Sequence, residues 1–336
     1  MKKVKEYLPT FLLVVGLLIC LVYFYLKENN YEKVIVLDDV EIVPTLISNV
    51  ENNTIWCGTF QLIWNDLQEE VGTDIVFLDD MENQMVLDLN QRTFTENDIS
   101  DNYYYKNYGF MTPSLKEEIE KGIFEKFQET SNILNNFEFL EDSKDYFFYT
   151  MLVVDFEFLK PFDEINSNVF GITNNSLEDL NQNVKVLYYL DDGNYAVLLK
   201  TTTDTEVILV KGESGNNFLE MYQSLNLENQ EDFLSDDIIS ISKFNFEVEG
   251  SFEEIEGKEF LINDESYTIE KTMQTIEFKM NNIGGTLKSE AGMEVNKGSI
   301  SNRVFDFTDD FTLFLKEEDK SLPYFAINID NIEDFR

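Results

Sequence analysis

The chain has 336 residues, 43% of them hydrophobic, and carries 65 acidic against 25 basic residues for a formal net charge of −40. That surplus repels phosphate backbones, which argues against nucleic-acid binding. The absence of histidine removes imidazole general bases, Ser-His-Asp and Cys-His arrangements and HExxH zinc sites together.

The length suits one large domain, and 5 prolines and 15 glycines leave little material for a linker. Residues 1–7 form a short cationic start. Residues 8–26 follow without a charge, long enough to span a bilayer core. The preceding lysines predict a single-pass anchor with a cytoplasmic N-terminus and the body outside the cell. A cleaved signal peptide is the rival reading, but no Ala-x-Ala-like site follows the apolar run. Residues 27–45 read as a tether with two extended pieces, Val34–Leu37 and Val40–Val43, and 46–336 as the domain.

Trp56, Phe60, Ile63, Trp64 and Leu67 share one helical face, so residues 53–67 are expected to form a helix with a buried side. Cys57 within it reads as a small core residue, since the only other cysteine, Cys20, lies in the apolar run and no histidine could activate it. Residues 73–112 are mixed, with an extended piece at Ile75–Leu78 and an aromatic cluster at Tyr103–Tyr105. A helix starts at Pro113-Ser114, where Ser114 and Glu117 make a capping box and Leu115, Ile119, Ile123 and Phe127 line one face. Tyr146–Val154 is apolar on both faces, as in a central strand covered on both sides.

Val184–Leu190, Tyr195–Lys200 and Glu206–Lys211 read as a meander, with Asp192-Gly193 as a hairpin turn. A short helix at Asn217–Leu225 follows, then alternating strands at Ile239–Val248 and Ile276–Met280. Phe311–Leu315 and Tyr324–Ile329 close the chain as a hairpin. Helices come early and strands late, an α+β pattern with helices packed on large, mostly antiparallel sheets. The doublets Asp38-Asp39, Asp79-Asp80, Asp191-Asp192, Asp236-Asp237 and Asp309-Asp310 border strands or turns, where aspartate bonds locally, and none has the spacing of a Ca²⁺ loop. No metal site, cofactor or enzymatic constellation is expected.

After Ile276–Met280, Gly284-Gly285 interrupts the pattern, and apolar or small residues then alternate at Leu287, Ser289, Ala291, Met293 and Val295. Lys288, Glu290 and Glu294 lie between them, and a polar stretch from Asn296 to Arg303 follows. This is a strand-like segment running into a loop.

The order of elements resembles the serpin family. Residues 53–67 resemble its early buried helix, without the usual Ser-Pro pair. Met151–Asp163 resembles the central strand ending in Trp-x-x-Pro-Phe-Asp, with Phe158 in place of tryptophan. Ile239–Val248 is similar to a strand that reads Pro-Lys-Phe, with Ser242 for proline, and Phe307–Leu315 with Phe325–Ile329 to the last hairpin. The resemblance covers about residues 46–336 and implies a non-catalytic protein whose mobile loop engages or inhibits a protease. It makes Gly284 the hinge, with Gly285 beside it, and Lys297, Gly298 and Ser299 the scissile region. Loop insertion as a strand then buries Leu287, Ser289, Ala291 and Met293, because the opposite register buries Lys288 and Glu290. Leu287 and Met293 are bulkier than the small residues inhibitors carry there, and the alternative is a non-inhibitory cell-surface binding or structural module on the same fold.

Overall fold

The computed structural model describes residues 34–37, 40–212, 215–225, 227, 230–263, 265–286 and 303–335. The described residues from Ile35 onward form one compact unit. The expected anchor at 8–26 lies outside the described residues, and among those described no helix is long and apolar enough to cross a membrane.

The chain begins with β1 (Ile35–Val36), β2 (Glu41–Val43) and β3 (Thr54–Cys57), then α1 (Thr59–Val71) and α2 (Gln84–Leu89). Next come β4 (Tyr104–Phe110), α3 (Pro113–Phe127), β5 (Tyr146–Leu152), β6 (Asp155–Glu157), β7 (Asp163–Glu164) and β8 (Val169–Ile172). The meander is β9 (Val184–Asp191), β10 (Asn194–Lys200) and β11 (Thr205–Lys211), followed by α4 (Phe218–Gln223). β12 (Glu231–Asp232), β13 (Ile238–Ser242), β14 (Phe244–Gly250), β15 (Glu259–Ile262), β16 (Glu265–Thr268) and β17 (Gln274–Met280) lead to β18 (Gly284–Thr286). β19 (Val304–Phe307), β20 (Phe311–Glu317) and β21 (Pro323–Ile329) complete the α+β fold.

Three sheets carry the architecture. The largest has the order β12-β9-β10-β11-β20-β21-β3-β2, and its middle strands are covered on both faces, which is why 196–199 and 207–210 are unbroken apolar runs. In a five-stranded sheet, β1-β14-β17-β18-β6, the strand β17 buries alternate residues: Gln274, Ile276, Phe278 and Met280 point inward while Thr275, Glu277 and Lys279 are half-exposed. Phe278 joins the two sheets by packing on Phe325 at 5.1 Å between ring centres. A third sheet, β19-β13-β8-β7, lies against the tyrosines of β9 and β10. α3 covers the β4–β5 pair with Leu115, Ile119 and Ile123.

Several expected elements differ. Residues 54–57 are strand, not helix, because β3 pairs with both β2 and β21; helical spacing of Trp56 and Phe60 loses to this tertiary pairing. α1 begins only at Thr59. The cap of α3 is Thr112, whose Oγ1 accepts from Leu115 N at 3.4 Å with Pro113 at the first helical position, whereas Ser114 donates to Glu118. Ile239–Val248 is two strands in two sheets, parted at Lys243, which turns aside to pair with Glu164 at 2.7 Å. Tyr146–Leu152 is not central: it pairs with β4, the aromatic stretch whose strand character its polar neighbours hid. Ile75–Leu78 forms no strand; Leu78 N makes one bond to Glu259 O while Ile75 and Phe77 pack in the core. The meander, the Asp192-Gly193 turn and the closing hairpin stand where the periodicity predicts them.

Candidate functional site

The site is a gap in the five-stranded sheet, built from the turn that follows β17. After Met280 the chain reverses through Asn281–Ile283 and returns as β18, antiparallel to β17 on one side and to β6 on the other. Asparagine side chains shape such turns by bonding their own backbone. Asn281 Oδ1 accepts from Ile283 N at 2.9 Å, and Asn281 N donates to Gly284 O at 2.8 Å. The turn is tied to the segment after β6: Phe162 N donates to Asn282 O at 2.7 Å and Phe158 N to Ile283 O at 2.9 Å.

Close approach explains the two glycines. A Cβ on Gly284 would strike the Phe156 carbonyl oxygen and stand 2.6 Å from Glu157 Cα. On Gly285 it would strike the Phe156 ring and stand 2.7 Å from the Lys279 carbonyl oxygen. Gly285 lies opposite Met280 and Phe156, both buried, so it occupies the inner face.

β17 pairs with β14 from Gln274 to Met280 but with β18 only at Lys279 and Met280. Beyond Thr286, no described strand stands between β17 and the wall formed by residues 149–155. The resulting cleft has a volume of ≈ 390 Å³. Cys57, Thr59, Phe60 and Ile63 contribute to its lining from β3 and α1. Gln274 is fixed by two bonds, Nε2 to Cys57 O at 3.2 Å and to Thr59 Oγ1 at 2.7 Å. Its Oε1 and Thr150 Oγ1 are buried without a hydrogen-bond partner. Two orphaned polar atoms in one cleft are costly unless an occupant satisfies them. The Cys57 thiol is held neutral by burial, which pushes its pKa up, so it serves as packing rather than as a nucleophile. Tyr149, on the other wall, has its phenol pushed up to about 12 by burial.

Residues 131–137 strap the outside of the cleft. Asn132 Nδ2 donates to Glu277 Oε1 at 3.0 Å, Asn136 Nδ2 lies 3.3 Å from Met273 Sδ, and Lys271 stands over the Phe137 ring. Phe137 and Phe139 in turn pack on Phe147 of β5.

Of the predicted site residues, Gly284 and Gly285 lie in β18, while Leu287, Ser289, Ala291, Met293, Lys297, Gly298 and Ser299 lie outside the described residues. Sequence reasoning missed Gln274 and Thr150, which look like ordinary strand residues, and the Asn281-Asn282 turn, for which paired asparagines before glycine were an available signal. The aspartate doublets that are described serve structure: Asp79 and Asp80 pair with Lys258, Asp191 caps the Gly193 turn, Asp237 holds Arg303 and Asp310 pairs with Lys211. Among the described residues no three acidic or cysteine side chains gather as a metal site would require.

No protein-family model matches the chain, and no curated protein matches it. Among solved structures, the chain is similar to Serpin48 of the insect Tenebrio molitor, at 11% identity and a TM-score of 0.41, covering 84% of this chain and 92% of that one. It is also similar to a serpin from the trematode Schistosoma haematobium, at 12% identity and a TM-score of 0.41, covering 83% and 94%. The protein-Z dependent protease inhibitor of mouse is similar at 10% identity and a TM-score of 0.45, covering 84% and 91%.

Proposed function

We propose that this is a non-catalytic, serpin-like protein in which the segment beginning at Gly284 enters the sheet as a further strand once a protease cuts it. The observation that carries this reading is β18 itself, already paired on both sides at the mouth of a cleft that continues its line. Extending both registers sets residue 287 between Phe278 and Val154, 289 between Ile276 and Leu152, and 291 between Gln274 and Thr150. Rows 278, 276 and 274 are the buried ones, which supports Leu287, Ser289, Ala291 and then Met293 as the inward face and Gly284 as the pivot. Ala291 in the third row is small enough to fit between Gln274 and Thr150, and an added backbone brings N–H and C=O groups to the cleft that holds their orphaned atoms.

The protease is engaged at Lys297, Gly298 or Ser299, and lysine there suits a trypsin-like enzyme. The uncharged run 8–26 anchors the chain in the cell membrane with its body outside. The reading is tested by cutting the chain with a trypsin-like protease and melting it before and after. A higher melting temperature after the cut, and a denaturant-resistant complex with some protease of a panel, are expected. No gain after cutting would sink strand insertion.

One observation favours the second reading, a cell-surface binding module that does not inhibit. The strap at 131–137 is bonded to Glu277 and lies beside Met273 along the cleft, and it has to yield before a strand can pass. Slow insertion turns an inhibitor into a substrate. A chain that gains stability on cutting but traps no protease is the expected result in that case.

A further inference from the structure

β4 ends its sheet on the side away from the cleft, and it is long for an edge strand. It runs for 7 residues, whereas the other edge strands among the described residues, apart from β5 beside the cleft, have 2 to 4. Its register against β5 decides which backbone groups are free. Val153 N donates to Tyr103 O and Met111 N to Asp145 O, so the bonded pairs fall at the odd positions. The N–H groups of Tyr104, Lys106, Tyr108 and Phe110 therefore point away from β5, and no described strand lies beside them.

Sheet edges are usually blunted by short length, proline, a bulge or an outward charge. β4 has no proline and no shift in register, and its one charge, Lys106, is turned to Asp66 and Glu96.

The face beside this edge is aromatic and acidic. Side chains at even positions of β4 lie toward α1, as the pairing of Lys106 with Asp66 shows. On that side Tyr108 stacks on Phe148 at 5.1 Å and Phe110 packs on Tyr146 at 4.9 Å. Tyr146 packs in turn on Tyr267 at 5.7 Å and donates to Glu70 Oε1 at 2.8 Å. Tyr108 and Phe110 remain 36% and 44% exposed, so the outer end of the row is uncovered. Burial and the charges of Glu70, Asp66 and Glu69 push the Tyr108 phenol up. The bond to Glu70, burial and the charges of Glu70 and Glu265 push that of Tyr146 up to about 12. Lys144 already stands 5.3 Å from the centre of the Phe110 ring, so the row takes a cation.

A strand laid along β4 meets both features at once. Its backbone bonds the free groups, and every second side chain falls beside Tyr108 and Phe110, on the side of Glu69 and Glu70. Ring faces and carboxylates favour cations there, and the net charge of −40 repels a second copy of this chain.

We propose that the outer edge of β4 is a docking site for an extended, basic segment of a partner protein, which adds as a strand and sets lysine or arginine side chains beside Tyr108 and Phe110. The cleft lies on the other side of β5, so docking needs no cut.

The test adds a synthetic peptide of alternating lysine and threonine to the full, uncut chain, and reads binding by calorimetry and amide exchange. Exchange is expected to slow at Lys106, Tyr108 and Phe110 and to stay unchanged at Asn107 and Gly109, which already bond β5. Two controls are expected not to bind: the same peptide with glutamate for lysine, and the lysine peptide with methylated backbone nitrogens. Tyr108→Ala and Glu70→Gln, the latter still able to bond the Tyr146 hydroxyl, should each weaken binding roughly two- to fivefold. Glu70→Gln and the control peptides carry the test if Tyr108→Ala does not fold. No binding of the lysine peptide, or equal binding of either control, would overturn the proposal. So would binding that neither variant weakens. Slowed exchange at Thr275 and Glu277 instead would seat the peptide in the cleft and overturn it as well. Slow exchange at Lys106 and Tyr108 before any peptide is added would do the same, because the edge would already be covered.

Discussion

Two sheets of one molecule are built to opposite specifications. In the eight-stranded sheet, β10, β11 and β20 are paired on both sides along most of their length and buried on both faces. In the five-stranded sheet, β17 has one complete partner and one that stops after two residues, beside a cleft with two orphaned polar atoms. The first is finished at its middle strands, which are paired on both sides and covered, although Trp56 Nε1 of β3 is buried without a partner. The second carries unsatisfied groups and a glycine pair, the signs of a site kept ready for something else.

The contrast can be broken hardest at the finished sheet. Phe325 is fully buried and packs on Phe278, so Phe325→Ala is expected to cost about 3–5 kcal/mol in urea unfolding of either the cut or the uncut chain. An equal loss in both forms marks the eight-stranded sheet as a bystander to insertion. Leu287→Lys should do the reverse. It leaves the uncut chain unchanged and removes the stabilisation on cutting, since an ammonium in the row of Phe278 and Val154 costs several kcal/mol. A gain in melting temperature that survives this change would show that residue 287 does not face inward.

Gly284→Ala separates the mouth of the cleft from the cleft itself. The new Cβ meets Phe156 and Glu157 backbone, which cannot swing aside, so β18 is expected to detach at a cost of about 1–3 kcal/mol. Amide exchange at Lys279 and Asn281, whose N–H groups face β18, reads this directly, and unaltered protection there would show that the backbone of β6 shifts instead.

Legibility in the sequence followed the same division. The finished sheet was readable: the meander strands, their Asp-Gly turn and the last hairpin are local, strongly patterned and joined to neighbours in sequence. The strand before the glycine pair was readable for the same reason. What failed was decided by partners far along the chain. Trp56 fits a helical stripe, but β21 recruits it nearly 270 residues later as a strand. At Lys243 the alternation shifts phase, from Ile239 and Ile241 to Phe244, Phe246 and Val248, and the two halves serve different sheets; the shift was the local sign, but which sheets the halves join is set by distant partners. The cleft escaped for a related cause, since Gln274 and Thr150 become orphans only when two separate walls meet.

The smallest expected effect tests the register most finely. Glu277 lies directly opposite Glu247 across β14 and β17, and like charges so placed repel. Extending the β17–β18 register sets residue 288 opposite Glu277 on its other side, where a lysine would pair with it. Opposite charges facing across strands contribute about 0.2–1 kcal/mol. Lys288→Glu and Glu277→Lys should therefore each reduce the stabilisation on cutting by that amount, and the double exchange should restore much of it. Glu277→Lys also removes the bond from Asn132, but that loss is common to the single and double variants and cancels in the cycle. Strictly additive losses would mean that residues 277 and 288 never face each other. A one-residue slip would then be the geometry to consider, and it exchanges the two faces of the strand, turning Lys288 and Glu290 toward the floor. Because that arrangement buries two charges, it predicts no stabilisation on cutting at all, so the cycle and the melting experiment have to agree.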